Sequence, residues 1–207
     1  MDRRELIKMI AILTGGAVVG AETFLTGCKS GGNAELGFSE SNISLLNEVG
    51  EIILPATSTP GAKEAKVGEF MEIIVRDCYP PESQDAFMNG FLQLEEACAH
   101  MHSKGFKDCS PEQRKELLLS LEAEAKEFNK AQDEKDKPRR DELKKQDKEY
   151  DFVASPRHYY TMFKQLTLLG FFTSEVAAKK ALRLMPPAPG EYDGALPYKE
   201  GDKAWAN

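Results

Sequence analysis

Apolar residues recur at three- and four-residue intervals along most of this chain, and this spacing limits its fold more than any other feature. The first such series is Ile43, Leu46, Val49, Ile52 and Ile53. Because an α-helix has about 3.6 residues per turn, these intervals place apolar side chains on one helical face. Alternating or β-branched runs bounded by turn residues, which predict strands, are absent from the sequence. The sequence therefore predicts an all-α fold.

The helical pattern predicts one domain of about five to six helices over residues 41–185. Ser110-Pro111-Glu112-Gln113 has the arrangement of a capping box with proline at the first helical position, which predicts a helix start. We expect a later helix to open at Ser155-Pro156 and end at Gly170, and a shorter one to reach Leu184. The side chains expected to face the core include Phe70, Cys78, Leu92, Phe128 and Leu169.

A charged segment at residues 122–151 lies within this domain. It holds 11 acidic and 9 basic residues among 30, with few apolar residues after Phe128. It is either an exposed helical extension rich in i,i+4 ion pairs or a mobile insertion broken at Pro138. The chain as a whole has a formal net charge of −7, which argues against a nucleic-acid partner.

The N-terminal 28 residues predict an export signal followed by an anchor. Arg3-Arg4 precedes an apolar stretch of 11 residues, Met9 to Val19, too short for a membrane span of about 20 residues. The arginine pair resembles the twin-arginine export motif, although Asp2 and Leu6 depart from it, so general secretion stays open. Leu25-Thr26-Gly27-Cys28 looks like a bacterial lipobox, in which Cys28 receives the lipid. We therefore expect a signal peptide at 1–27, a tether at 28–40 and a lipoprotein on the periplasmic side of a membrane.

The remaining cysteines and histidines are the residues best suited to chemistry. On a helix Cys98 and His102 share a face, and Cys109 could add a third metal ligand. Structural zinc sites usually show two tight ligand pairs, which this chain lacks, so we predict no metal site and keep these three residues as weak candidates. Alternatively, Cys98 and Cys109 form a disulfide, or the thiols of Cys78, Cys98 and Cys109 are buried as small apolar groups.

The C-terminal arm, residues 186–207, is rich in proline and glycine yet contains two tyrosines and the only tryptophan. Prolines at this density prevent a helix or a central strand. Disordered tails are usually poor in aromatic residues, so the arm packs either on its own domain or on another protein.

Two segments resemble the family called gluconate 2-dehydrogenase subunit 3. The first is Ile53 to Ala62 with the helix after it, and the second is the arm, with Pro189-Gly190-Glu191-Tyr192-Asp193-Gly194 and Pro197-Tyr198. The resemblance implies the non-catalytic small subunit of a membrane-associated gluconate- or glucoside-type dehydrogenase. Residues in the two segments and at the end of the arm are the candidate partner contacts: Pro60, Gly61, Pro189, Gly190, Tyr192, Gly194, Pro197, Tyr198 and Trp205.

The same resemblance implies the partners. A large flavin subunit of the glucose-methanol-choline class would carry FAD, and a cytochrome c often takes the electrons. The sequence has no Gly-x-Gly-x-x-Gly after a strand and no Cys-x-x-Cys-His, so we expect no cofactor in this chain. The small subunit would carry the folded flavin subunit through export and hold it at the membrane. The alternative is a stand-alone periplasmic lipoprotein that acts as a binding or scaffolding module.

Overall fold

Helices account for most of the chain in a computed structural model that describes residues 37–184, 195, 197 and 199–206. In order they are α1 (Glu40–Ile53), α2 (Val67–Cys78), α3 (Pro81–His102), α4 (Pro111–Lys145) and α5 (Tyr159–Phe172). Short 3₁₀ turns lie at Phe106–Asp108 and Glu149–Asp151, and a five-residue π-helical turn at Ala177–Ala181. No strand occurs in the described residues beyond an isolated bridge between Arg183 and Trp205. The predicted all-α fold is confirmed.

Helices α1, α2 and α5 meet where small residues let their backbones approach closely. A Cβ at Gly50 of α1 would lie 2.7 Å from Val67 of α2 and 3.6 Å from Thr167 of α5. One turn later a Cβ at Gly170 of α5 would lie 2.7 Å from the ring of Phe70. Phe70 of α2 therefore packs directly on the backbone of α5 at Gly170.

Helix α3 packs on α5 through an aromatic cluster. The ring centroids of Phe87 and Phe163 are 4.7 Å apart, and Phe91 lies 5.7 Å from Phe163. Tyr159 and Phe38 complete the cluster, at 5.6 Å from Phe163 and 6.0 Å from Phe87. Fully burying such a side chain contributes about 1.5 to 3 kcal/mol, so this cluster fixes the central position of α5.

Helix α4 begins as predicted, with the capping box of Ser110 and Gln113 formed in both directions. Its 35 residues span about 52 Å. The first half packs through Leu117, Leu118 and Leu121, and the helix then continues past Pro138 to Lys145. The charged segment is therefore a helical extension rather than an insertion broken at the proline.

Several expectations about helix ends and buried faces were wrong. Helix α5 starts at Tyr159 because the His158 ring accepts a hydrogen bond from the Tyr160 backbone N–H, and it ends at Phe172 rather than Gly170. The shorter helix expected after it is present only as the π-helical turn at Ala177–Ala181. Four side chains expected in the core are exposed instead: Cys78, Leu92, Phe128 and Leu169.

Candidate functional site

Residues 54–66 join α1 to α2, and the carboxylate of Glu51 holds the first part of this loop, residues 54–63, in place. One carboxylate oxygen accepts from the Ala56 backbone N–H at 2.8 Å and the other from the Lys63 backbone N–H at 2.9 Å. Gly61 lies so close that a Cβ there would overlap both oxygens. Sequence reasoning missed Glu51, which stands only three residues after Glu48 on the same helix and has no distinguishing motif.

Pro60 and Gly61, two predicted partner contacts, are buried at the base of this loop. The exposed tip is formed by residues 55–58. The tip is therefore the accessible part of this loop, and Pro60 and Gly61 are not. Their role as partner contacts stays a prediction.

A second surface lies beside the contact between α2 and α5. Ile73 is 50% exposed, Leu169 48% and Phe172 47%. Phe70 packs on Gly170, Ile73 lies about one turn after Phe70 on α2, and Leu169 and Phe172 lie within two residues of Gly170 on α5. We call Ile73, Leu169 and Phe172 the α2/α5 surface. Of the three, only Leu169 was expected in the core, and sequence reasoning did not single out Ile73 or Phe172; the signal available was an apolar face wider than one helix contact needs.

Cys98 and Cys109 are brought together at the corner between α3 and α4. Their Sγ atoms are 3.2 Å apart, and both residues are buried as free thiols. Burial, with a smaller contribution from Cys109, raises the pKa of the Cys98 thiol to about 12. The raised pKa makes the Cys98 thiol a poor nucleophile and a poor metal ligand in the folded domain at neutral pH.

His102, the other weak metal candidate, is hydrogen-bonded to the backbone of α4. Its ring Nε2–H donates to the Gln113 carbonyl at 3.1 Å. Among the described residues no group of three or more histidine, cysteine or acidic side chains could hold a metal ion. Cys78 is exposed at the end of α2. Of the three metal candidates, the structure thus places Cys98 and Cys109 in contact with each other and hydrogen-bonds His102 to the backbone.

The described end of the arm, residues 199–206, rests on its own domain. Arg183 and Trp205 form a parallel backbone bridge, with the guanidinium 4.8 Å from the Trp205 ring centroid. Asp202 pairs with Arg183 at 3.3 Å, and Lys203 donates to the Lys180 carbonyl at 2.8 Å. Trp205 nevertheless keeps 45% of its surface exposed. Intramolecular packing of this part does not prevent Trp205 from also contacting a partner.

Of the remaining predicted site residues, only Pro197 lies in the described part of the chain, where it is exposed. The others lie outside it and are the export, lipid and arm positions Arg3, Arg4, Cys28, Pro189, Gly190, Tyr192, Gly194 and Tyr198. Of the helices that the structure does describe, none combines the length and the apolar character needed to cross a bilayer.

Comparison with protein families identifies the chain. The family model described as gluconate 2-dehydrogenase subunit 3 matches residues 40–190, which begin at α1 and reach into the arm. Comparison with curated proteins and with solved structures gives no significant match. The matched region includes the loop held by Glu51, the α2/α5 surface and the thiol pair, and it covers well over half of the sequence. This chain therefore belongs to the gluconate 2-dehydrogenase subunit 3 family.

Proposed function

We propose that this chain is the non-catalytic small subunit of an exported, FAD-dependent sugar dehydrogenase of the gluconate or glucoside type. The family match over residues 40–190 carries the proposal, since the family is named for a subunit of a dehydrogenase. In this proposal a flavin subunit of the glucose-methanol-choline class binds FAD and oxidises the sugar. A cytochrome c takes the electrons.

The α2/α5 surface is the proposed contact with the flavin subunit. Ile73, Leu169 and Phe172 each expose about half of their surface, and each lies within three residues of the contact between Phe70 and Gly170. Contiguous exposed apolar side chains are typical of interaction sites on proteins. Burying them against the flavin subunit would remove apolar area from water at about 25 cal/mol per Å².

Export and attachment form the second part of the proposal. Arg3 and Arg4 would direct the folded complex to the twin-arginine route, and a lipid on Cys28 would hold it on the periplasmic face of the membrane. A single lipid-modified residue supplies an anchor and no catalysis. The small subunit would then act as a chaperone-like escort before export and as a membrane tether after it.

The contact is tested by co-purification of the flavin subunit with surface variants. We expect the double variant Ile73→Asp with Phe172→Asp to lose the flavin subunit, because it would bury two carboxylates in an apolar interface. Leu92→Asp is the matched control, since Leu92 is 63% exposed on α3 and should tolerate a charge. Equal recovery of the flavin subunit with all variants would show that the contact lies elsewhere.

The escort role is tested by locating both subunits in cells that carry Arg3→Lys with Arg4→Lys. We expect both subunits to stay in the cytoplasm, because the flavin subunit would depend on this signal. Cys28→Ala is the companion variant, and it should release the exported complex from the membrane. Normal export of the flavin subunit in the arginine double variant would contradict the escort role.

A further inference from the structure

The corner between α3 and α4 brings two cysteines from different elements into contact. Cys98 lies in the last turns of α3, and Cys109 directly follows the 3₁₀ turn at Phe106–Asp108. Their Sγ atoms are 3.2 Å apart, roughly 1.2 Å beyond the length of a disulfide bond. Cys98 is fully buried and Cys109 is 5% exposed. No other described cysteine lies beside this pair, since Cys78 is exposed at the end of α2.

Contacts that do not involve sulfur hold both sides of the corner. Glu95, one turn before Cys98, accepts from the Phe106 backbone N–H at 2.9 Å. Arg114 of α4 donates to the Phe106 carbonyl at 2.9 Å and to the Lys107 carbonyl at 2.7 Å. These contacts hold the end of α3 near the 3₁₀ turn without depending on the thiols.

From this juxtaposition we propose that Cys98 and Cys109 are a disulfide-forming pair that locks the end of α3 to the start of α4. The oxidant is an external disulfide, either a small-molecule disulfide or that of a thiol oxidoreductase. The bond closes the segment from Cys98 to Cys109, which contains the 3₁₀ turn. Burial of both sulfur atoms then shields the bond from reductants.

The reaction proceeds by two exchanges. Cys109, the more exposed of the two, loses its proton and attacks one sulfur of the external disulfide, which releases one thiolate. Cys98 then loses its proton while the corner is still open to solvent during folding, before burial raises its pKa, and attacks Cys109 Sγ in the mixed disulfide, which releases the second thiolate. The two cysteines are oxidised by two electrons in total, and the external disulfide is reduced to two thiols that take up both protons.

The test compares the oxidised and reduced full chain after refolding in a glutathione buffer. Peptide mapping without reductant should find one link, between Cys98 and Cys109. Cross-linking a loop of this length is expected to raise the melting temperature by roughly 5 to 10 °C, and added reductant should abolish the increase once the chain is unfolded.

Two variants separate this pair from the other cysteines. Cys98→Ala should lose both the link and the shift in melting temperature, whereas Cys78→Ala, which removes the exposed thiol, should keep both. A link that joins Cys98 or Cys109 to Cys28 or Cys78 would overturn the proposal. So would a refolded wild-type chain in which both thiols still react with an alkylating agent under denaturing conditions, and this result does not depend on how well either variant folds.

Discussion

At the scale of single residues, two acidic side chains of α1 connect distant parts of the domain. Glu51 binds the loop before α2, and Glu48 pairs with Lys63 in that loop and with Arg114 of α4 at 3.2 Å. The sequence predicts the helix that carries them, because apolar spacing is a local property. It does not predict these pairings, since Arg114 is 66 positions from Glu48 and only the tertiary fold brings them together.

Glu51→Gln should destabilise the domain by about 1 kcal/mol. A glutamine can accept only one of the two backbone N–H groups, and its own amide hydrogens would face the other. Chemical denaturation measures the change in the free energy of unfolding. The control is Glu64→Gln, which removes only an exposed ion pair with Lys180 and should cost less than about 0.5 kcal/mol. Equal losses in the two variants would contradict the role given to Glu51.

Glu48 should make stability depend on acid pH. The hydrogen bond from Lys63, with the nearby charge of Arg114, holds the pKa of this carboxyl below its ordinary value of 4.5. A group whose pKa is lowered in the folded state stabilises the protein above its unfolded pKa, and this stability is lost as the pH falls through the folded pKa. Glu48→Gln should therefore flatten the decline in stability between about pH 5 and pH 3.

Urea unfolding across that pH range measures the effect, with Glu142→Gln on the exposed part of α4 as the control. A Glu48→Gln variant that declines as steeply as the wild type would show that the ion pairs of Glu48 contribute nothing to acid stability.

At the scale of helices, the charged half of α4 is supported by the chain that returns beside it. Asp136 accepts from the Ser155 backbone N–H and hydroxyl, both at 2.7 Å, and Asp133 pairs with Arg157 at 2.8 Å. The sequence predicted i,i+4 pairs for this segment. Among its described ion pairs only Lys126 with Glu122 has that spacing. The sequence left a helical extension and a broken insertion both open; the structure forms the helix, but the pattern of charges could not indicate which partners the returning chain supplies.

Asp136→Ala should loosen the returning segment at residues 149–157. Removing the carboxylate leaves the Ser155 N–H and hydroxyl without their acceptor, so amide exchange in this segment should become faster. Hydrogen–deuterium exchange measured by mass spectrometry detects the change. Asp141→Ala, an exposed position on the same helix, is the control and should leave the segment unchanged. Unchanged amide exchange in Asp136→Ala would contradict the conclusion that Asp136 holds this segment against α4.

At the scale of the whole molecule, the apolar pattern predicts that the helices pack together. It does not determine which apolar side chains remain exposed to solvent. Leu169 belongs to the same helical series as buried Phe163 and Leu166, yet it is 48% exposed. Its exposure depends on the close contact of Phe70 with Gly170, which sets how α2 covers α5. The α2/α5 surface therefore emerges only from the assembled domain, whereas the fold class and the family follow from the sequence.

The most direct test of the proposed function is purification of the tagged wild-type protein from membranes, followed by mass spectrometry and a visible absorption spectrum. We expect a flavin dehydrogenase to co-purify and to show the absorbance of bound FAD. Recovery of the chain alone, without a flavin spectrum, would contradict its assignment as a subunit of such a complex.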